Sequence, residues 1–313
     1  MDMHSSLPFA SQPLAAVKAT HVKLSKHLTV AQAFQEIATN CLAQIRANEA
    51  AVAQTHHEES LHQMRVGLRR LRSLLGLFNS MLQLPDEVQH EINWLAEELG
   101  IARDWDVLAG STLPVAASIA AEIEFEPVRL ATKANAQERH EAVAAVVRSD
   151  RYFQLVLFLT NWVQTRSWRE AISPSNRKRM KTPIIRFAKI SLKHAQRRLH
   201  KRGRRLKEAT PEARHRVRIA AKKARYATEF FQSLYPTRKT KPYVRALSQL
   251  QNELGWMNDV AVGDRLLKEL QEEQDTLAGT AAYIRGYLAG SVEADKKQLE
   301  KLWKKFKVMK LPV

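Results

Sequence analysis

Eleven consecutive residues, His62-Gln-Met-Arg65-Val-Gly-Leu-Arg69-Arg70-Leu-Arg72, gather one imidazole and four guanidinium groups. The pattern returns 153 residues later as His215-Arg-Val-Arg218-Ile-Ala-Ala-Lys222-Lys223-Ala-Arg225. Both copies read His-x2-Arg-x3-basic-basic-x-Arg, and both run on to an aromatic, Phe78 and Phe231. Guanidinium groups make bidentate, charge-assisted hydrogen bonds to phosphate oxygens, and a lysine ammonium adds a point charge. The chemistry on offer is recognition of phosphate-rich anions, with the histidines as candidate ligands or proton carriers.

These side chains act together only if one helix carries each set. At 100° per residue, Met64, Leu68, Leu71, Leu75 and Phe78 share one arc, the expected core face. His62, Arg65, Arg69 and Arg72 form the adjoining stripe. His215, Arg218, Lys222 and Arg225 repeat that stripe beside Val217, Ala221, Ala224 and Phe231. Each column places a cation at every turn, about 5.4 Å apart along the axis. Like charges at these spacings destabilise an isolated helix by a few tenths of a kcal/mol per pair. Few acids lie inside either motif, so an external anion is the expected compensation.

A third column, Arg186, Lys189, Lys193 and Arg197, lies beside the apolar face of Ile185, Ala188, Leu192, Ala195 and Leu199. Its counterparts in the first half, Ala33, Glu36, Asn40 and Gln44, form no such column, so the second half is expected to dominate anion binding. For the histidines two readings stand side by side: a buried, hydrogen-bonded structural residue, or a ligand. Recurrence at the same place in both copies favours the ligand. Neighbouring arginines bias the imidazole towards neutral, whereas a bound phosphate would favour its charged form.

A second block follows each motif. Glu98-Leu99-Gly100 with Asp104 and Val107 matches Glu253-Leu254-Gly255 with Asp259 and Val262, at an offset of 155. Two blocks in the same order at nearly the same offset make the chain a tandem of two similar halves. Glu98, Glu253, Asp104 and Asp259 read as structural residues near helix ends or paired with arginines. Few breakers (10 Gly and 11 Pro among 313 residues) and no alternating strand pattern argue for an all-α protein. Helices are expected near 29–53, 57–81, 86–109, 115–147 and 149–166, then near 183–206, 211–234, 240–274 and 278–307. Four-helix bundles are the natural packing for amphipathic helices of this length. Residues 1–21 read as a flexible N-terminal segment, and 22–166 and 184–308 as the two halves. Residues 167–183, with Ser173-Pro174-Ser175-Asn176, read as a linker.

The chain carries 50 Lys+Arg against 32 Asp+Glu, and residues 177–225 hold 20 of those bases with two acids, Glu208 and Glu212. The remainder balances, with 30 bases and 30 acids. Such concentration points to a polyanion site, because a merely soluble surface would mix the signs. The single cysteine, Cys41, excludes an intramolecular disulfide, gives no basis for a zinc site and suits a reducing, cytoplasmic location. Residues 1–23 show no basic start followed by an apolar run, so no secretory leader is expected. The most apolar stretch, residues 152–163, is too short to span a bilayer. No Walker A loop and no Gly-x-Gly-x2-Gly occur. His57-Glu58 stands at the wrong distance from His62 for a helical zinc site. Glu122, Glu124 and Glu126 alternate like the carboxylates of a triphosphatase tunnel, without its lysine or its strands. No carboxylate cluster for Mg²⁺ stands out, so neither metal nor cofactor is expected.

With both blocks in view, the sequence resembles the CHAD domain, the conserved histidine α-helical domain, over residues 22–306. The second block, Leu99-Gly100-Ile-Ala-Arg103-Asp104-Trp-Asp106-Val107, is close to that family's Arg-Asp-x-Asp-Val. The resemblance implies two pseudo-symmetric helical bundles around a central basic pore or groove that binds inorganic polyphosphate without catalysis. The chain is similar to stand-alone members, which associate with polyphosphate granules, rather than to those fused to a triphosphate-tunnel domain. By position, the resemblance makes ligands of His62, Arg65, Arg69, Arg70, Arg72, His215, Arg218, Lys222, Lys223 and Arg225. Lys189, Lys193 and Arg197 of the third column join them. Asn258 in place of arginine and Ala261 in place of the second aspartate depart from the pattern.

Two other functions compete with polyphosphate binding. A basic helical protein could bind nucleic acid, but single-strand binding needs stacking aromatics, and Phe187 is the one aromatic between Arg186 and Arg225. A phosphoanhydride hydrolase could use His62 or His215 as acid or base, but lacks evident metal ligands.

Overall fold

Capping residues set where the two motif helices begin. The computed structural model describes residues 14–118, 124–206 and 208–313. In the first half, α1 (Val30–Arg46) and α2 (Glu49–Thr55) precede the first motif helix, α3 (Glu58–Phe78). Then follow α4 (Asp86–Val107), a π-helical turn (Leu108–Thr112), α5 (Leu113–Ala117), α6 (Glu126–Arg148) and α7 (Asp150–Gln164). After α8 (Pro174–Met180) come α9 (Ile184–Arg202), the second motif helix α10 (Pro211–Phe231), α11 (Thr237–Glu273) and α12 (Ala278–Lys307). No strand forms among the described residues, and the isolated bridge pairs Thr29 with Pro183. The His57 ring accepts the Ser60 amide to start α3, and Thr210 accepts the Ala213 amide to start α10, where Pro211 takes the first helical position.

Four boundaries differ from the sequence expectation. The helix expected over 29–53 breaks at Asn48, which is fully buried. Its amide donates to Gln44 O at 2.7 Å and Val17 O at 2.9 Å, and its oxygen accepts from Val17 N at 3.0 Å. That side chain offers the backbone an alternative to helix and ties down the N-terminal strand of chain at Val17. Residues 1–13 of the segment read as flexible lie outside the described residues. The helix expected over 115–147 is α5 and α6, with Pro127 in the first turn of α6. Residues 119–123, and with them Glu122, lie outside the described residues. Residues 167–183 form a 3-10 turn and α8 instead of an open linker, burying Trp168, Ile172 and Met180 in the core. Finally, α11 starts three residues early and accommodates Pro242 inside it.

Apolar side chains collect in three cores, and two of these draw on both halves. The first joins α1, α3, α4 and α7 to Ile184, Ala188 and Leu192 of α9 and to Tyr226, Phe230 and Phe231 of α10. The second belongs to α9–α12, around Val217, Leu247, Trp303 and Phe306. The third packs Trp105, Leu113 and Val128 against Val260, Leu267 and Ile284. Phe78 and Phe231, the aromatics that close the two motifs, both flank Phe187, at 4.5 Å and 6.1 Å between ring centroids. Burying each such ring contributes about 1.5–3 kcal/mol. This contact pins α3 beside α10 and sets their basic stripes next to one another.

Candidate anion-binding site

A cavity of about 920 Å³ opens between α3, α10 and the start of α4. Arg69 and Arg72 reach it from α3, and His215, Arg218, Lys222 and Lys223 from α10. Among the described residues Asp86 is the one carboxylate in its wall. The wall is held by specific contacts. Arg69 Nε donates to the Tyr226 hydroxyl at 2.7 Å, with its guanidinium 5.9 Å from the ring centre. Arg72 donates to Asn93 Oδ1 at 3.2 Å, and His215 Nδ1 lies 3.0 Å from Asn258 Oδ1. Arg218 stands 3.8 Å from Asp259, as Arg65 at the matching position of α3 stands 3.9 Å from Asp104. The second block thus supplies acids that hold the first block's arginines. Even so, Arg218 Nε is buried with no hydrogen-bond partner among the described residues.

Cationic charge in the wall exceeds what these acids offset. Burial, reinforced by the charges of Arg69, Arg218 and Arg65, pushes the Lys222 ammonium down to about 6, against the weaker opposing pull of Asp259. Lys223 is lowered by burial and then by Arg198 and Arg72. Arg65 and Arg218 are lowered and Asp104 and Asp259 raised, each chiefly because burial disfavours the charged form.

Seven of the thirteen residues named from the sequence do not line the cavity. Arg70 is 7% exposed and points the other way, because one residue step turns it 100° from Arg69 into the interface with α1. There it donates to Gln44 Oε1 and Asn40 Oδ1, both at 2.8 Å, and lies 5.7 Å from the Phe230 ring centre. Arg225 already has an anion of its own, Glu229, at 2.9 Å. His62 and Arg65 are half-buried outside the wall, and His62 is kept towards neutral by burial and then by Arg103. Lys189, Lys193 and Arg197 are exposed along α9 and do not line the cavity.

Other residues matter that the motif did not name. Tyr226 orients Arg69, Asn258 holds His215, and Arg198 stands close enough to Lys223 to disfavour its charge. A Cβ on Gly100 would lie 2.6 Å from Arg65 Nη1, so this glycine makes room for the guanidinium over α4. Asp106, replaced by Ala261 in the second half, is buried 2.8 Å from His140 Nε2 and clasps α4 to α6. Among the described residues no group of three or more His, Cys, Asp or Glu is placed to share a metal ion, and no helix is long and apolar enough to cross a membrane.

The CHAD domain model matches residues 36–268, which takes in the whole basic wall of the cavity. The crystal structure of the CHAD domain from the plant Ricinus communis superposes with a TM-score of 0.85 at 35% identity, over 96% of this chain and 99% of that one. PptA from Streptomyces chartreusis superposes with a TM-score of 0.67 at 13% identity, over 88% of this chain and 100% of that one, a likeness of fold alone. Rv2226 of Mycobacterium tuberculosis is 29% identical over an alignment of 182 residues that covers 54% of this chain and 33% of that protein. The matched region thus spans about a third of that relative's length.

Proposed function

Because the chain belongs to the CHAD domain family, we propose that its cavity binds inorganic polyphosphate, as a binding module and not as an enzyme. One observation carries this reading: Arg69, Arg72, Arg218, Lys222 and Lys223 converge on one cavity that holds a single carboxylate, Asp86. A linear phosphate chain presents charge and acceptor oxygens at every unit and has no bases to accommodate. Each charge-assisted bond to it contributes about 1.5–3 kcal/mol. Nucleic acid fits less well, because among the described residues no Phe, Tyr or Trp lines the cavity and Tyr226 is occupied by Arg69 and Arg225. Of the two histidines that could serve turnover as acid or base, His62 does not line the cavity. In a cell that stores polyphosphate as granules, this binding would carry the protein to them.

The test is a titration with long-chain polyphosphate, single-stranded DNA and RNA at matched phosphate concentration and salt, with free phosphate followed in parallel. Polyphosphate should bind tightest, with an affinity that falls linearly on a log–log plot against salt, and no phosphate should appear. Equal affinity for nucleic acid would reduce the cavity to a generic basic surface. Steady phosphate release would make the protein an enzyme.

A further inference from the structure

A second concentration of charge lies beyond the cavity. The C-terminal end of α9, the turn after it and α10 enclose a depression of about 330 Å³ walled by Lys201, Arg202, Arg204, Arg205 and Arg216, with Ala213 completing it. None of the five cations makes a hydrogen bond or ion pair with a side chain of the described residues, in contrast to Arg65, Arg218 and Arg225. Among the described residues no carboxylate lines the depression; Glu212, one turn before Arg216, lies outside it. A helix C-terminus favours cations through its dipole, which accounts for Lys201 and Arg202. It does not account for Arg216 in the N-terminal part of α10, or for Arg204 and Arg205 in the turn.

The turn is fixed in place. A Cβ on Gly203 would lie 2.3 Å from the Trp303 ring, so only glycine lets the indole press against the backbone that carries Arg204 and Arg205. The backbone dihedral there is ordinary, φ −85°, and close approach is the whole reason for the glycine. Cations also bridge the two sites. Lys223 lines the cavity, and after burial the charge of Arg198 on α9 does most to disfavour its ammonium. Arg198, Lys201 and Arg202 share one face of α9 at i, i+3 and i+4, and Arg205 follows in the turn. On α10, Arg216 lies two turns before Lys223 on the same face, about 10.5 Å along the axis.

We propose that a long polyphosphate chain does not end in the cavity but runs past Arg198 along the α9–α10 edge into this second cationic site. The proposal rests on the cavity binding polyphosphate. The cavity alone serves short oligophosphates, and the outer site adds contacts that only a longer chain spans, so it acts as a chain-length selector through effective concentration.

The test uses the full chain and isothermal titration with tripolyphosphate and with long-chain polyphosphate. A triple variant, Lys201→Ala, Arg205→Ala and Arg216→Ala, should leave tripolyphosphate affinity within about twofold. It should weaken long chains about tenfold or more and flatten their salt dependence. A control that removes equal charge, Lys189→Ala, Lys193→Ala and Arg197→Ala, should weaken long chains less than about threefold. Equal losses in the two triple variants, or equal losses for the two ligands, would overturn the track. Failure of the parent reading looks different: Arg218→Ala with Lys222→Ala would then leave both ligands bound as before.

Discussion

Lys222 reports the charge imbalance of the cavity most directly. Its folded pKa of about 6 lies below the ordinary lysine value, so the free protein holds this amine largely neutral at pH 7. Folding therefore expels a proton, and the associated stability penalty grows as pH falls from the unfolded pKa to about 6, then stays constant below it. Binding runs the other way. A bound anion would restore the charge and the complex would take up a proton, so affinity should rise as pH falls from 8, by up to about tenfold per unit, and level off near the free pKa. Calorimetry in buffers of different ionisation enthalpy should show that uptake. Lys222→Met should remove most of it. An unchanged pH dependence in Lys222→Met would exclude this role for the lysine. Arg70 makes the opposite point. Arg70→Ala should cost about 1–3 kcal/mol in denaturant unfolding, because Gln44 and Asn40 lose their donor. Its polyphosphate affinity should match the parent chain; a binding loss without a stability loss would return Arg70 to the anion wall.

At the scale of elements, the helical stripes were legible from spacing and the assignment of every cation within them was not. Arg69 and Arg72 reach the cavity as the period predicts, but Arg70, one step round, meets α1. The clue was present in Asn40 and Gln44, two polar residues on the otherwise apolar face of α1 that runs through Ile37, Cys41 and Ile45. Glu229, four residues after Arg225, likewise marked an intramolecular pair. The third column lies outside the cavity for a different reason: periodicity puts Lys189, Lys193 and Arg197 on one face of α9 but does not say what that face meets. The duplicated block also hides an asymmetry. A Cβ on Gly100 meets Arg65 at 2.6 Å, whereas one on Gly255 has nothing within 4 Å. Gly255→Ala should therefore stabilise the protein by about 0.5–1 kcal/mol through helix propensity. Gly100→Ala should gain nothing and should displace Arg65 from Asp104. Thermal unfolding of the two variants checks this, and equal gains would remove the packing role assigned to Gly100.

For the whole molecule, the repeat in the sequence is not a division in the core. Phe78 of the first half packs on Phe187, which packs on Phe231 of the second, and the third core likewise mixes α4–α6 with α11 and α12. Residues 14–183 expressed alone should therefore show no cooperative unfolding transition; a sharp transition would make the halves independent. That shared core is also what brings the two basic stripes to one cavity, so position, and not net charge, should decide polyphosphate affinity. The deciding measurement compares polyphosphate affinity in two triple variants of equal formal charge. One is Arg69→Ala, Arg218→Ala and Lys222→Ala in the cavity; the other is Lys189→Ala, Lys193→Ala and Arg197→Ala outside it. The cavity triple should lose about a hundredfold or more, as expected for several charge-assisted bonds, and the outer triple less than about threefold. Equal losses would contradict the site and leave only a basic protein attracting a polyanion.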